Sequence, residues 1–165
     1  MAKQPKTNAM RMLDRARLAY TMHSYDPGDG HNDGVSVAAK TGRDPAQVYK
    51  TLVTRGHSGG IYVFVIPVAA ELDLKKAAHA AGEKSVAMAP LTDLLPLTGY
   101  VRGGCSPVGM KKPYPTFFQQ GVEELPTLLV SGGRVGTQIE TAPGPLLELL
   151  GARTAPLTQD QGEQE

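Results

Sequence analysis

Two apolar, β-branched runs, VYKTLVTRG (48–56) and IYVFVIP (61–67), are separated only by the turn-forming quartet HSGG (57–60). So short a connection forces the runs to fold back on each other, so residues 48–67 predict an antiparallel hairpin. Around this hairpin the chain alternates short helical and short extended patterns. Thr7 or Asn8 can cap a helix whose apolar face carries Ala9, Leu13, Ala16 and Tyr20. YTMHSY (20–25) alternates and suits a strand, and DPGDGHNDG (26–34) is dense in turn formers and reads as a loop beside a binding site.

VSVAAKTG (35–42) reads as a helix stopped by Gly42. Asp44 and Pro45 then predict a cap and a first-turn proline, with Gln47 placed to complete a capping box. Asp73 caps a helix with the apolar face Leu74, Ala77, Ala78 and Ala81, ended by Gly82. SVAMA (85–89), PTFFQQG, PTLLVSGG and TQIET read as strands, with SGGRVG closing a hairpin. PLTDLLPLTG predicts a helical turn and APGPLLELLG a short helix, and residues 152–165 read as a frayed tail. Strands joined by hairpin-length turns, with short helices interspersed, predict a single mixed or antiparallel α+β domain.

With 17 basic and 16 acidic residues, the field of the whole molecule gives no strong pull toward nucleic acid or membrane. No stretch approaches the roughly 20 apolar residues of a membrane span. The opening MAKQPKTNAMRMLDRARL has no apolar run of signal-peptide length, and a lone cysteine fits a reducing compartment. The expectation is a cytoplasmic protein without metal or other cofactor, since the four histidines lack metal-ligand spacing and there is no CxxC.

The stretch GYVRGGCSPVGMKK (99–112) carries that cysteine, Cys105. The residues leave two readings of it: a nucleophile activated by a neighbour, or a small buried hydrophobe in a tight loop. Gly103, Gly104 and Gly109 let a ligand approach the main chain, and bare N–H groups there can hold an oxyanion. Lys50, at the start of the first hairpin strand with Thr51 beside it, either points into a cleft or lies exposed at a strand end. Ser131 in the SGGRVG turn is a candidate polar contact, and Arg102, Lys111 and Lys112 form a small basic cluster.

VYKTLV, LDLKKAA, TGYVRGGCSPVGMKK and LLVSGGRVG, in this order, resemble the YbaK/EbsC-type aminoacyl-tRNA deacylases. The likeness is strongest to the Cys-tRNA(Pro) deacylase branch, related to the editing domain of prolyl-tRNA synthetases. It spans roughly residues 7–155, so residues 1–6 and 156–165 are expected to be flexible termini. The resemblance implies a largely antiparallel mixed sheet curved into a partial barrel with short helices around it. It implies hydrolysis of the ester of mischarged Cys-tRNA(Pro), with Cys-tRNA(Cys) also in range. The substrate's own thiol would attack its carbonyl, releasing a thiolactone. Lys50, Gly103 and Gly104 fall on the family's catalytic positions, and Tyr25, Thr51 and Ser131 on substrate-binding ones. The partners implied are the acceptor end of aminoacyl-tRNA and prolyl-tRNA synthetase, with no membrane. Relatives commonly carry an aliphatic residue at Cys105, which weighs against the nucleophile, and often a phenylalanine where this chain has HNDG (31–34). Two alternatives stand beside this reading: deacylation of Ala-tRNA(Pro) or another mischarged species, and a non-catalytic module binding tRNA or a synthetase.

Overall fold

The computed structural model describes residues 5–28 and 33–160. Residues 29–32 of the expected 26–34 loop, including His31 and Asn32, lie outside the described residues, as do 1–4 and 161–165 of the expected flexible termini.

Helix α1 (Asn8–Arg15) starts where the Thr7 hydroxyl accepts from the Met10 amide at 3.2 Å, and it buries Ala9, Met10 and Leu13. Strand β1 (Thr21–Ser24) follows, then α2 (Gly34–Thr41), capped by Asp33 and stopped by Gly42 in the left-handed region. A single 3-10 turn (Pro45–Gln47) is capped by Asp44, but the expected capping box does not form. The Gln47 amide instead donates to Thr127 at 2.8 Å, a long-range bond that outcompetes the local one.

Strands β2 (Tyr49–Gly56) and β3 (Ile61–Pro67) pair antiparallel as expected, with Lys50 opposite Ile66 and Thr51 opposite Val65. Helix α3 (Leu74–Ala81) begins at Asp73 and buries Ala77 and Ala78; Leu74, expected on the same apolar face, is 44% exposed at the first turn. Strand β4 (Val86–Met88) leads into α4 (Leu91–Thr98), a full eight residues where only a helical turn was expected, with Pro96 inside it. The chain ends with β5 (Thr116–Gln119), β6 (Leu128–Arg134), β7 (Thr137–Thr141), α5 (Pro143–Leu150) and β8 (Arg153–Ala155).

Among the described residues the strands form two sheets and no closed barrel. One is antiparallel, ordered β1-β7-β6; the other is mixed, ordered β4-β2-β3-β5-β8, with parallel pairing from β3 to β5 and from β5 to β8. A parallel bridge between Val48 and Leu129 stitches them together. β3 is apolar throughout because it feeds two cores. Val63 and Val65 join Leu13, Phe118, Leu128, Val130 and Ile139, while Phe64 and Ile66 join Phe117, Ala77 and Leu157 on the opposite face. The Phe64 and Phe117 rings stack with centroids 5.5 Å apart.

The described part of the expected frayed tail, residues 152–160, is a strap. β8 lies beside β5, Leu157 is fully buried, and the Gln119 side-chain oxygen accepts from the amides of Leu157 and Thr158 at 2.8 and 3.1 Å. No described helix is long and apolar enough to cross a membrane.

Candidate functional site

A cavity of about 120 Å³ opens where β2, the end of β1, the 99–112 loop and the β6–β7 hairpin converge. Tyr25, Lys50, Thr51, Gly103 and Ser131 all border it. Gly34, Val37, Tyr49 and Val68 supply further wall, together with Cys105 and Gln138.

Each residue arrives there for a local reason. The Tyr25 amide donates to the Gly136 carbonyl at 2.9 Å, extending the β1–β7 ladder by one residue. The Lys40 ammonium sits 5.6 Å from the Tyr25 ring centroid and holds that face. Lys50 and Thr51 are fixed by the β2–β3 register. Ser131 precedes a bulge spanning 131–134, which Gly132 and Gly133 permit. A Cβ at Gly132 would lie 2.8 Å from Thr137, and Gly133 has a φ of +102°. The Ser131 oxygen accepts from the Gly133 amide at 3.2 Å, which leaves its proton to donate elsewhere.

The glycine loop is braced from inside. The Tyr100 hydroxyl donates to the Val108 carbonyl at 2.7 Å, and Thr98 bonds both the amide and the carbonyl of Tyr100. Gly103, at a φ of +85°, faces the cavity. Gly104 does not line it, a correction to the expected pair of bare donors: its amide donates to the Val101 carbonyl at 2.9 Å. Gly104 is needed instead for packing, since a Cβ there would stand 2.8 Å from Arg134 Cα and 2.9 Å from the Val135 nitrogen. The Gly103 and Cys105 amides donate to no backbone carbonyl among the described residues.

Cys105 is partly buried in the wall, and burial pushes its thiol up to about 11 against a smaller opposing effect of its hydrogen bond to Thr98. A nucleophilic cysteine needs the opposite shift. At neutral pH this one is a protonated, weakly polar wall residue. The expected basic cluster is divided: Arg102 and Lys112 line different hollows, and the Lys111 stem packs over Gly99.

Among the described residues lining the cavity, Lys50 is the sole cation and none is a carboxylate. Lys50 has no ion-pair partner among them either, so its charge is directed at the hollow or at solvent. Two further polar atoms stand out. The Thr51 hydroxyl and the Gln138 side-chain oxygen are buried without a hydrogen-bond partner among the described residues. Such groups are rare in a folded interior, and both border this cavity. Gln138 faces both His23 and Ser131 in the strand register and is only 6% exposed. Its oxygen can only accept, so it suits a ligand N–H or O–H.

Behind the cavity, Glu140 ties the supporting segments together. It accepts from His23 at 2.8 Å, Arg43 at 2.9 Å and the Thr127 hydroxyl at 2.5 Å, and Thr127 accepts from Gln47. The Thr127 hydroxyl first, then His23 and Arg43, hold its carboxyl below the ordinary range against the opposing pull of partial burial. His23 lies two residues before Tyr25 and Gln47 three before Lys50, so one carboxylate anchors both approaches to the cavity. Among the described residues, no group of three or more His, Cys, Asp or Glu side chains is gathered to hold a metal.

The arrangement suits a neutral or anionic ligand with a donor at one end: one cation, one or two free amides, an acceptor-only oxygen, and a hollow sized for a small acyl group. Comparison with known proteins gives the family. Residues 33–149 match the family model described as the aminoacyl-tRNA editing domain. Over 155 residues the chain is 44% identical to EbsC of Enterococcus faecalis (strain ATCC 700802 / V583), named as a candidate Cys-tRNA(Pro)/Cys-tRNA(Cys) deacylase, and the match covers 94% of each chain. The crystal structure of a candidate trans-editing enzyme for prolyl-tRNA synthetase is 26% identical, with a TM-score of 0.81 over 96% of this chain and all of that one. A hypothetical protein, 24% identical, superposes at a TM-score of 0.84 over 92% of this chain and 99% of its own, a likeness of fold alone.

Proposed function

Since the chain belongs to the aminoacyl-tRNA editing domain family and is an aminoacyl-tRNA hydrolase, we propose that it strips cysteine from mischarged Cys-tRNA(Pro), and from Cys-tRNA(Cys) where the two meet, in the cytoplasm. The observation that carries this reading is the meeting of Tyr25, Lys50, Thr51, Gly103 and Ser131 around one small hollow, with two unpartnered polar atoms in its wall.

An aminoacyl ester is already activated, so positioning can do most of the work. The substrate thiol attacks its own carbonyl carbon. The new S–C bond forms as the C–O bond to the ribose breaks, and the thiol proton passes to the departing ribose oxygen. Water then opens the thiolactone to free cysteine. The Gly103 amide stabilises the developing oxyanion, and Lys50 orients the 3′-terminal nucleotide through its phosphate or hydroxyls. The Gln138 oxygen accepts from the substrate's α-ammonium, and Tyr25 and Ser131 set the pose of the acyl group. Cys105 takes no part in bond making. The near-neutral charge of the chain suits weak intrinsic attraction to tRNA, and a complex with prolyl-tRNA synthetase would supply the rest.

A deacylation panel on Cys-, Ala- and Pro-tRNA(Pro) tests the proposal. Rapid loss of the cysteinyl ester alone supports it, because only cysteine carries its own nucleophile. Equal rates on Ala-tRNA(Pro) would sink the thiol mechanism, and binding of tRNA without any hydrolysis would make the chain a binding module.

A further inference from the structure

Helix α1 contributes no residue to the wall of the candidate cavity, yet the chain at its start touches two of the loops that do. On one side stands the β6–β7 bulge, which carries Ser131. The Thr7 hydroxyl donates to the Gly132 carbonyl at 2.5 Å, and the same oxygen accepts from the Met10 amide at 3.2 Å. A Cβ at Gly133 would lie 2.9 Å from the Thr7 Cβ and 3.1 Å from the Tyr100 ring, so the bulge presses on Thr7 and on the glycine loop at once. Arg134 adds a second tie by donating to the Pro5 carbonyl at 2.6 Å. On the other side stands the glycine loop itself. A Cβ at Gly109 would lie 2.7 Å from the Asn8 carbonyl and 2.8 Å from the Ala9 nitrogen. Residues 5–9 are therefore a wedge between the Ser131 bulge and the loop that carries Gly103. Where the two loops meet directly they do so by packing, Gly104 against Arg134 and Gly103 against Val135.

We propose that Thr7 is a positioning residue for ester cleavage, whose hydroxyl sets the separation of the Ser131 hydroxyl from the Gly103 amide across the cavity. A helix cap needs only an acceptor at this place, and aspartate would serve as well as threonine. Thr7 does more than cap. A hydroxyl accepts and donates through one atom, which puts the Met10 amide and the Gly132 carbonyl on a common pivot. The start of α1 is thereby fixed to the bulge two residues before the hairpin turns back. Geometry is where such a tie counts, because donors to a developing oxyanion act only at hydrogen-bond distance, and a displacement of about 1 Å can cost about 10²-fold in rate.

The gap between capping and bridging supplies the test. Thr7→Asp keeps the cap, and with it the fold, but near neutral pH its carboxylate has no proton for the Gly132 carbonyl. Thr7→Ser keeps both bonds and Thr7→Val loses both. In steady-state deacylation of Cys-tRNA(Pro), well below each Tm, Thr7→Asp and Thr7→Val should lose about tenfold in kcat, with KM changed by less than about twofold. Thr7→Ser should return kcat to within about twofold of the unmodified chain. In parallel, amide hydrogen exchange across residues 131–134 should quicken about tenfold in Thr7→Asp while the α1 amides keep their protection. A normal kcat in Thr7→Asp would overturn the proposal, since Thr7 would then be a cap alone. So would unaltered exchange across 131–134 in both Thr7→Asp and Thr7→Val. The inference rests on the deacylase reading for the reaction it serves, and the two fail separately. If the unmodified chain hydrolyses no aminoacyl ester, that reading falls, while the exchange measurement still decides whether Thr7 holds the bulge in place.

Discussion

Replacing Gln138 by methionine should make the protein more stable and a poorer enzyme at once. The side chain is 6% exposed and its oxygen has no hydrogen-bond partner among the described residues. Keeping a buried acceptor unpaired costs about 1–3 kcal/mol, and an apolar side chain of similar volume removes that cost without opening a cavity. A gain of about 1 kcal/mol raises Tm by about 2–4 °C in a chain of this size. If the oxygen serves the substrate's α-ammonium, its loss removes a hydrogen bond to a charged group, worth about 1.5–3 kcal/mol, so kcat/KM should fall about 10- to 150-fold. Thermal unfolding followed by circular dichroism gives the first quantity, and initial rates of Cys-tRNA(Pro) deacylation give the second. A variant that melts lower and deacylates normally would refute the reasoning, because the oxygen would then be a structural acceptor and not a ligand contact.

Lys50→Ala should abolish deacylation with Tm unchanged, whereas Cys105→Ala should retain most activity; a dead Cys105 variant with an intact fold would overturn the substrate-thiol scheme. Labelling of Cys105 by iodoacetamide should be slow near neutrality and accelerate as pH approaches the raised value of about 11. Gly104→Ala, whose Cβ would sit 2.8 Å from the Arg134 backbone, should destabilise the fold by about 1–3 kcal/mol in urea unfolding, and a neutral result would mean the hairpin tip yields freely. Glu140 has a depressed carboxyl pKa, so its contribution to stability is full above the ordinary value of 4.5 and is lost as pH falls through the folded-state value. Glu140→Gln should therefore flatten the acid side of the stability–pH profile, as read from chemical-denaturation midpoints; an unchanged profile would refute the role given to its partners.

The hairpin of β2 and β3 was legible because two β-branched runs and a four-residue turn leave the chain one way to go. Helices α1, α2 and α3 were equally plain, since the Thr7 cap, the Gly42 stop, and Asp73 with Gly82 act within a few residues. Long-range pairing hid what failed. β8 is three residues with no periodicity of its own, and only the parallel edge of β5 makes it a strand. Gln47 looked like a local cap and proved a partner of Thr127. At the site, VYKTLV, GYVRGGC and LLVSGGRVG were legible as motifs, and Lys50, Gly103 and Ser131 from them border one cavity. The sequence could not tell that Gly104 spends its amide on Val101, which depends on how the turn closes. Nor could it find Gln138, because a polar residue at an alternate strand position reads as facing solvent until the second sheet is placed over it.

The walls of the hollow come from residues as far apart as Tyr25 and Gln138. A chain leaving the ribosome N-terminus first therefore acquires its ester-cleaving ability in one late step, once the hairpin bearing Ser131 and Gln138 has emerged and docked. Nascent chains stalled before that point hold Lys50 and the glycine loop but lack an opposing wall.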